Sequence, residues 1–524
     1  MPRPLISALF RAPLRGLAVL AGLALPLGAA AQERAVVAMA DGVRLETFVH
    51  LPQTLPAPVL LIRTPYRFPG SGAAFYDRFA QALTDRDYAV VVQNLRGRFR
   101  SEGSFTPFGD EMADGVATLD WIRAQPWSNG RIATLGGSYN GYTALAAAAG
   151  SPHVQAVIAD DPALDLWAGR RGGALGLLPV FWLSLLDRGD WPDAAMREIA
   201  SNAPDPAKID SLILGRDDPF WNRYVAGPVG LPVDSLRGAM GRICAPVLVL
   251  KSKSEGWEDP VDLWRALRET GCPAHRADHR LIVTAEDHTY HLNRIGGAET
   301  DVTARMIDWL DHWLRDRPLA DSPPVLFRPS ADGPFLAAED WPLAGTDTAF
   351  FLGQRLSLTG NGHLMPAPQA GGSGHALRVD PATTSPCEDT ARQTYLSDPL
   401  EQDLLIAGPM RLELFLRSTT DRVGLSAQIY EYDPARPDPL AFVTFGVAVE
   451  RGLTPGTTRR LTLWTHSLSH RFDAGSRIAL SVGGTACGYA ELDHPAATYE
   501  ILHGQDSPSR LVLEAVRVPL VPTP

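Results

Sequence analysis

The segment Leu135-Gly136-Gly137-Ser138-Tyr139-Asn140-Gly141 sets a serine among glycines, after an apolar run and before an Ala-rich stretch ending at Ala149. Glycines at 136 and 141 permit a sharp strand-to-helix turn that lifts a serine hydroxyl above a sheet edge. Ser138 would then also open a helix, where backbone N–H groups can receive a developing oxyanion. A Gly-rich turn with a capping serine has the same local residues; the flanking strand and helix favour the nucleophile.

A serine hydroxyl attacks only when a base takes its proton, so a histidine and an orienting carboxylate are expected later in the chain. In a strand-turn-helix nucleophile fold the order is serine, acid, histidine. Gly256-Trp257-Glu258-Asp259 follows the apolar run Pro246 to Lys251, and Glu286-Asp287-His288 follows the run Arg280 to Thr284. Both groups fall just beyond strand C-terminal ends, where open α/β sheets carry their sites. Spacing alone leaves Glu258 and Asp262 as rivals of Asp259, and His291, Asp287 and Glu286 as rivals around His288.

Positioning these residues requires a mostly parallel sheet. From Val36 to about Trp313, short β-rich runs alternate with helical stretches, the pattern of an α/β fold. The predicted strands are Val43 to His50, Pro58 to Arg63, Tyr88 to Gln93, Arg131 to Leu135, Val154 to Ala159, Pro246 to Lys251 and Arg280 to Thr284. Several are unbroken Val, Ile and Leu, as strands buried on both faces should be. Between Asp165 and Met240 the rhythm stops in a Trp-, Pro- and Leu-rich segment (Trp167, Trp182, Trp191, Trp221) that reads as irregular helices laid over the sheet. Beyond Arg317-Pro318 come Gly/Pro-rich linkers and then alternating segments at Met410 to Arg417, Gly424 to Tyr430, Phe442 to Glu450, Arg459 to Trp464, Arg477 to Val482 and Leu511 to Val518. Short strands so spaced predict a β-sandwich or jelly roll.

Composition agrees with two or three folded units: 524 residues, 45% hydrophobic and 20% charged. The formal net charge of −11 is spread along the chain. No Lys/Arg run interleaved with aromatics would track a nucleic-acid backbone, so nucleic acid is not expected as a partner. Residues 1–31 carry Arg3, Arg11 and Arg15, an apolar stretch from Leu17 to Leu27, and Ala29-Ala30-Ala31, the order of a secretory signal peptide cleaved after Ala31. The apolar run is short of the ~20 residues of a membrane span, so a secreted or periplasmic protein without a stable membrane anchor is expected. The four cysteines, Cys244, Cys272, Cys387 and Cys487, suit an oxidising compartment. Cys244 with Cys272 and Cys387 with Cys487 is the expected pairing, with free buried thiols as the alternative.

Motifs in the same order run through the cocaine esterase and α-amino-acid ester hydrolase group, related to X-prolyl dipeptidyl peptidases of the S15 type. Ile62-Arg63-Thr64-Pro65-Tyr66 resembles that group's R-x-P-Y segment, and Gln93 to Gly97 with Ser101-Glu102-Gly103 its Q-D-x-R-G-x-x-x-S-E-G loop. Ser138-Tyr139 matches its nucleophile turn, Gly256 to Asp259 is similar to its G-W-x-D acid turn, and Leu281 to His288 to its L-V-x-G-P-W-x-H segment. Tyr395 to Leu400 resembles the opening of its C-terminal jelly roll. The resemblance implies an α/β-hydrolase fold over residues 32–164 and 241–317, a helical cap over 165–240, and a jelly roll over 318–524. It implies Ser138 as nucleophile, His288 as base and Asp259 as acid, with the Tyr66 phenol and the Tyr139 N–H forming the oxyanion hole. Arg96 and Glu102 read as a structural loop pair. No metal or organic cofactor is implied.

The departures bear on substrate. Asn94 replaces an Asp, with an expected change in a supporting hydrogen bond, and Ala285-Glu286 replaces Pro-Trp, with an expected change in the wall beside the base. Esterases of the amino-acid type hold an ammonium with carboxylates, whereas the stretch here reads Leu166-Trp167-Ala168-Gly169-Arg170-Arg171. Trp167, Arg170 and Arg171 are therefore candidate substrate contacts that disfavour an α-amino group. The expected partner is a small-molecule ester, then an amide. An X-prolyl dipeptidyl peptidase and an inert carbohydrate-binding jelly roll are the alternatives. The residues leave a homo-oligomer open.

Overall fold

The computed structural model describes residues 32–516 apart from 166, 168–169, 202, 204, 228–235, 254–258, 287, 289–290, 320–321, 355–361, 372, 380–391, 485–488 and 491–495. The expected signal peptide at residues 1–31 therefore lies outside the described residues, as do Cys387 and Cys487.

The strands of the N-terminal half, in chain order, are β1 (Gln32–Ala38), β2 (Arg44–His50), β3 (Ala57–Thr64), β4 (Ala89–Asn94), β5 (Ser128–Gly137), β6 (Ala156–Asp160), the short β7 (Arg170–Arg171) and β8 (Ala174–Gly176), β9 (Val247–Lys251), β10 (Arg280–Val283), β11 (Val325–Phe327) and β12 (Leu336–Ala338). Ten of them form one sheet in the order β1-β2-β4-β3-β5-β6-β9-β10-β11-β12. Pairing is parallel from β4 through β11 and antiparallel at both ends. Every residue of β3, β4, β6 and β9 is buried, which explains why their sequences do not alternate. The sheet runs on past the Arg317-Pro318 junction, because β11 extends β10 and β12 folds back on it.

Helices α1 (Ser71–Thr84), α2 (Glu111–Arg123) and α3 (Tyr139–Gly150) connect the first strands; α4 (Leu178–Arg188), α5 (Ala194–Ser201), α6 (Ile209–Leu214) and α7 (Pro219–Ala226) lie within the expected cap; α8 (Pro260–Thr270) and α9 (Asp301–Arg315) complete the set among the described residues. Helix α3 is buried along nearly its whole length, and small residues let α2 approach it. A Cβ on Gly115 would stand 2.9 Å from that of Ala147. The cap is a layer of aromatic and aliphatic side chains continuous with the core beneath, including Trp182, Trp221 and Tyr224.

The C-terminal half is β-rich. Thirteen strands form one sheet, its longest pairing joining Arg422–Tyr432 to Leu440–Arg451. Its core includes Leu414, Leu425, Leu480 and Tyr499. It is fastened to the N-terminal half at named points. Trp341 packs on Phe327, accepts hydrogen bonds from Arg265 at its carbonyl, and donates its indole N–H to Ser467 Oγ at 2.7 Å. The cap hairpin β7–β8 pairs with Tyr489–Ala490, and the Val449 N–H donates to the Gly172 carbonyl at 2.6 Å. Gly172 has φ +52, and a Cβ there would stand 2.0 Å from the Val447 oxygen, so only glycine fits this junction.

Cys244 and Cys272 are joined in a disulfide across 28 residues, at the N-terminal ends of β9 and β10. The expected pairing is present there.

Candidate active site

Ser138 follows β5 directly and has φ 56 and ψ −126. That backbone costs a non-glycine residue about 1–3 kcal/mol and persists only where the surroundings enforce it. They do so here through the Ser138 N–H, which donates to the Asp160 carbonyl at 2.8 Å, and the Ser138 carbonyl, which accepts from Gly141 at 2.9 Å. A Cβ at Gly136 would fall 2.2 Å from the Asn140 carbonyl, so the turn requires glycine there. The sharp strand-to-helix turn read from the sequence is present.

Tyr66 sits two residues beyond β3. Its phenol oxygen accepts the Trp182 indole N–H at 2.8 Å, and the Ser138 side chain lies near the same hydroxyl. Burial above all raises its pKa, so the phenol keeps its proton and remains a donor. The Tyr139 N–H stands at the first position of α3, where no intrahelical acceptor exists. Its side chain turns away into the core, where the hydroxyl donates to Glu111 and accepts from the Phe108 N–H. Burial pushes the Glu111 carboxyl up to about 7.

Trp182 was visible in the sequence only as one tryptophan among several in the cap. Its ring also packs on Tyr139, Phe105 and Phe220. Arg98 reinforces this contact between cap and sheet by donating to the Pro65 carbonyl, next to Tyr66, and to the Leu186 carbonyl in α4.

His288 lies beyond β10 and is 40% exposed, with Nδ1 3.6 Å from the Asp161 carboxylate. His291, its rival in the sequence, is buried and hydrogen-bonded through Nε2 to Thr284 at 2.9 Å. The Asp259 carboxylate caps α8 through the Val261 N–H at 3.2 Å, accepts the Ser467 N–H at 2.7 Å, and stands 3.8 Å from Lys251 Nζ. The structure thus places Ser138 beside Tyr66 and His288 beside Asp161, and engages Asp259 with the C-terminal domain. Asp161 escaped the sequence reading, although Asp160-Asp161 ends the strand beside the nucleophile strand, which is itself a signal.

The departures have local explanations. Asn94 donates its amide N–H to Glu46 at 2.7 Å, and Glu46 is also paired with Arg34; a second carboxylate at 94 would face the first. The Glu286 side chain pairs with buried Arg328, which also holds Asp301, and its carbonyl accepts the Lys253 N–H. It therefore anchors the histidine loop. Arg96 and Glu102 do not pair with each other: Arg96 reaches Asp114 on α2 and Asp41, while Glu102 pairs with Arg44. Each holds a different strand end. Trp167 is half-buried and stacks on Tyr224 of the cap. Arg170 and Arg171 form β7, and their side chains lie outside the described ones.

A cavity of about 510 Å³ lined by Arg131, Val154, Pro246, His275 and Trp313 opens at the opposite end of the sheet, away from Ser138.

With this geometry in view, the comparisons decide the family. Residues 41–290 match the X-Pro dipeptidyl-peptidase (S15 family) model and residues 319–514 the C-terminal non-catalytic domain of X-Pro dipeptidyl-peptidase. The cocaine esterase of Rhodococcus sp. (strain MB1 Bresler) is 30% identical over 474 residues, 76% of this chain and 80% of that protein. The chain belongs to the S15 family. This S15 member is therefore a serine hydrolase. Its fold is similar to that of an aminopeptidase from a marine sediment Thaumarchaeota archaeon, with TM-score 0.75 and 18% identity over 95% of this chain and 99% of that one. An α-amino acid ester hydrolase is similar at TM-score 0.75 and 17% identity, over 94% and 98% of the two chains. Both likenesses give an α/β-hydrolase fold with a β-rich C-terminal domain.

Proposed function

We propose that this S15 member hydrolyses carboxylic esters of small molecules through an acyl-enzyme on Ser138. The Ser138 oxygen attacks the carbonyl carbon while His288 takes its proton. The tetrahedral oxyanion is held by the Tyr66 phenol and the Tyr139 N–H, each such donor being worth about 3 kcal/mol in the transition state. His288 then gives its proton to the departing alkoxide, and water repeats the sequence to release the acid. Two aspartates beyond neighbouring strands, Asp161 and Asp259, are the carboxylates available to the base.

The observation that carries this reading is Ser138 on a strained turn beside a buried, protonated phenol. The test is fluorophosphonate labelling and p-nitrophenyl ester turnover in wild type and Ser138→Ala. Labelling and turnover should both vanish in the variant, and their persistence overturns the nucleophile. The family match favours a second reading, an X-prolyl dipeptidyl peptidase, which faster turnover of Xaa-Pro amides than of esters would establish. We assign Trp167, Arg170 and Arg171 to the acyl side of the site, where the arginines favour a neutral or carboxylate-bearing acyl group over an α-amino one. Export to an oxidising compartment is supported by the Cys244–Cys272 disulfide.

A further inference from the structure

We infer that Tyr76 is a positioning residue of the oxyanion hole, its hydroxyl bridging the segment that carries Tyr66 and the helix that follows Ser138. The inference rests on Tyr66 acting as an oxyanion donor. It is carried by an unbroken run of hydrogen bonds between those two elements. The Asn140 side-chain N–H donates to the Tyr76 phenol oxygen at 2.9 Å. The same oxygen lies 2.6 Å from Thr64 Oγ1, which accepts the Tyr66 backbone N–H at 3.0 Å. Asn140 stands two residues after Ser138, in the first turn of α3, and Thr64 ends β3 two residues before Tyr66. Three side chains thus connect the nucleophile turn to the backbone of Tyr66.

The bridge is buried at each of its members, Thr64, Tyr76 and Asn140. A bond broken there leaves polar groups that water does not readily satisfy. With an amide N–H on one side of the Tyr76 oxygen, the phenol proton is left for the Thr64 oxygen on the other. Burial raises Tyr76 above its ordinary pKa, so that proton stays in place. Tyr76 is itself held close to the donor it serves, because α1 starts against Tyr66. A Cβ on Gly72 would stand 2.7 Å from the Tyr66 carbonyl, and the Phe75 ring meets the Tyr76 ring edge-on at 5.1 Å. A second tie runs beside the first: Thr143 Oγ1 on α3 donates to the Arg63 carbonyl at 2.8 Å. The end of β3 is therefore fastened to the nucleophile helix at two successive residues.

The consequence is geometric. Trp182 holds the tip of the Tyr66 side chain, and the Tyr76 bridge holds its backbone. An oxyanion donor acts only within about 3 Å of the charge that develops, and a displacement of about 1 Å can cost on the order of 10²-fold in rate. Tyr76 acts through Tyr66 and exchanges no proton with substrate.

The test is a double-mutant cycle of Tyr76→Phe and Tyr66→Phe on one p-nitrophenyl ester, with unfolding midpoints measured alongside. Affinity for an alkyl trifluoromethyl ketone, which forms a tetrahedral oxyanion on the serine, is the second readout. Tyr76→Phe should lower kcat by about 10- to 100-fold with KM within about twofold. Ketone affinity should fall by about the same factor as kcat/KM, since both report on the oxyanion. In a Tyr66→Phe background the same change should cost less than about threefold, because the donor it positions is already gone. A folded Tyr76→Phe enzyme within about threefold of wild-type kcat overturns the inference. So do losses that multiply in the double variant, or a loss borne by KM alone. If Tyr76→Phe does not fold, Thr64→Val and Thr64→Ser decide. Thr64→Val, which keeps the shape and removes the oxygen, should show the kcat loss, and Thr64→Ser should bring most of it back; equal turnover in the two overturns the inference. A Tyr66→Phe enzyme that keeps wild-type kcat sinks the underlying reading instead, whatever Tyr76→Phe does.

Discussion

The indole N–H of Trp182, carried by the cap, donates at 2.8 Å to the phenol oxygen of Tyr66, which stands on the sheet. A phenol oxygen that accepts from one side must send its own proton elsewhere, and the hydroxyl beside it is that of Ser138. The cap therefore orients the phenol proposed as the oxyanion donor. Tyr66→Phe should lower kcat by about 10²- to 10³-fold. Trp182→Phe, which keeps an aromatic ring in place, should lower it about tenfold, the worth of one hydrogen bond. Because the second acts through the first, the double variant should be no slower than Tyr66→Phe. Additive losses would show that Trp182 serves only packing.

Glu111 supplies a stability test with a definite sign. Its folded carboxyl is raised to about 7, burial being the largest cause, against an ordinary 4.5. A raised carboxyl contributes stability that is fully present below the unfolded pKa and disappears as pH rises through the folded one. Wild type should therefore lose stability between about pH 5 and 8 relative to Glu111→Gln. The gap should open by on the order of 2 to 3 kcal/mol, since each tenfold difference in proton affinity between the folded and unfolded chain is worth about 1.4 kcal/mol. Arg63, Asp114 and Tyr139 are the titratable neighbours, and all three remain in the variant. Parallel urea midpoints across that range would return Glu111 to an ordinary acid.

The disulfide stands at the other end of the sheet from Ser138. It closes 28 residues, and chain entropy puts the stabilisation from such a loop at about 3 to 4 kcal/mol. Replacing both Cys244 and Cys272 with Ala should lower the unfolding midpoint and leave kcat within about twofold, there being no contact with the nucleophile to lose. An unchanged midpoint, or a collapse of kcat in folded protein, contradicts this.

Specificity is tested with glutaryl, butyryl and phenylglycyl esters of one leaving group. If Arg170 or Arg171 holds the acyl group, its replacement by Ala should lower the glutaryl kcat/KM by about 1.5 to 3 kcal/mol equivalent and spare butyryl. Equal losses on all three, or a wild type that prefers phenylglycyl, would remove the arginines from the site.

Much of the scaffold could be read from residues alone, because β3, β4, β6 and β9 are buried on both faces and print as unbroken apolar runs. The turn at Ser138 was legible for a related reason: its two glycines have no substitute. Strands β11 and β12 were not, since at three residues each they carry no period, and they lie beyond a Pro-rich junction that resembles a domain boundary. At the site, spacing left His288 and His291 as rivals, and it was the family resemblance that favoured His288. Asp161 and Asp259 both follow apolar strands, and no period or spacing in the sequence shows that Asp161 stands 3.6 Å from the imidazole of His288. Trp182 was hidden for the opposite reason, among tryptophans whose contacts are mainly with the core.

The three-stranded sheet formed by β7, β8 and Tyr489–Ala490, together with the Asp259 to Ser467 bond, bears on how this enzyme can be rebuilt. A catalytic half cut away near residue 318 would keep every residue proposed for chemistry. It would still surrender β11 and β12 of its own sheet, Trp341 with the bonds it makes to Arg265, a strand partner of the cap, and one ligand of a carboxylate beside a buried lysine. Chimeras that exchange the β-rich half between relatives must therefore carry matching residues at 172, 259, 341 and 467, and a graft that ignores them joins an unchanged N-terminal half to a loosened cap.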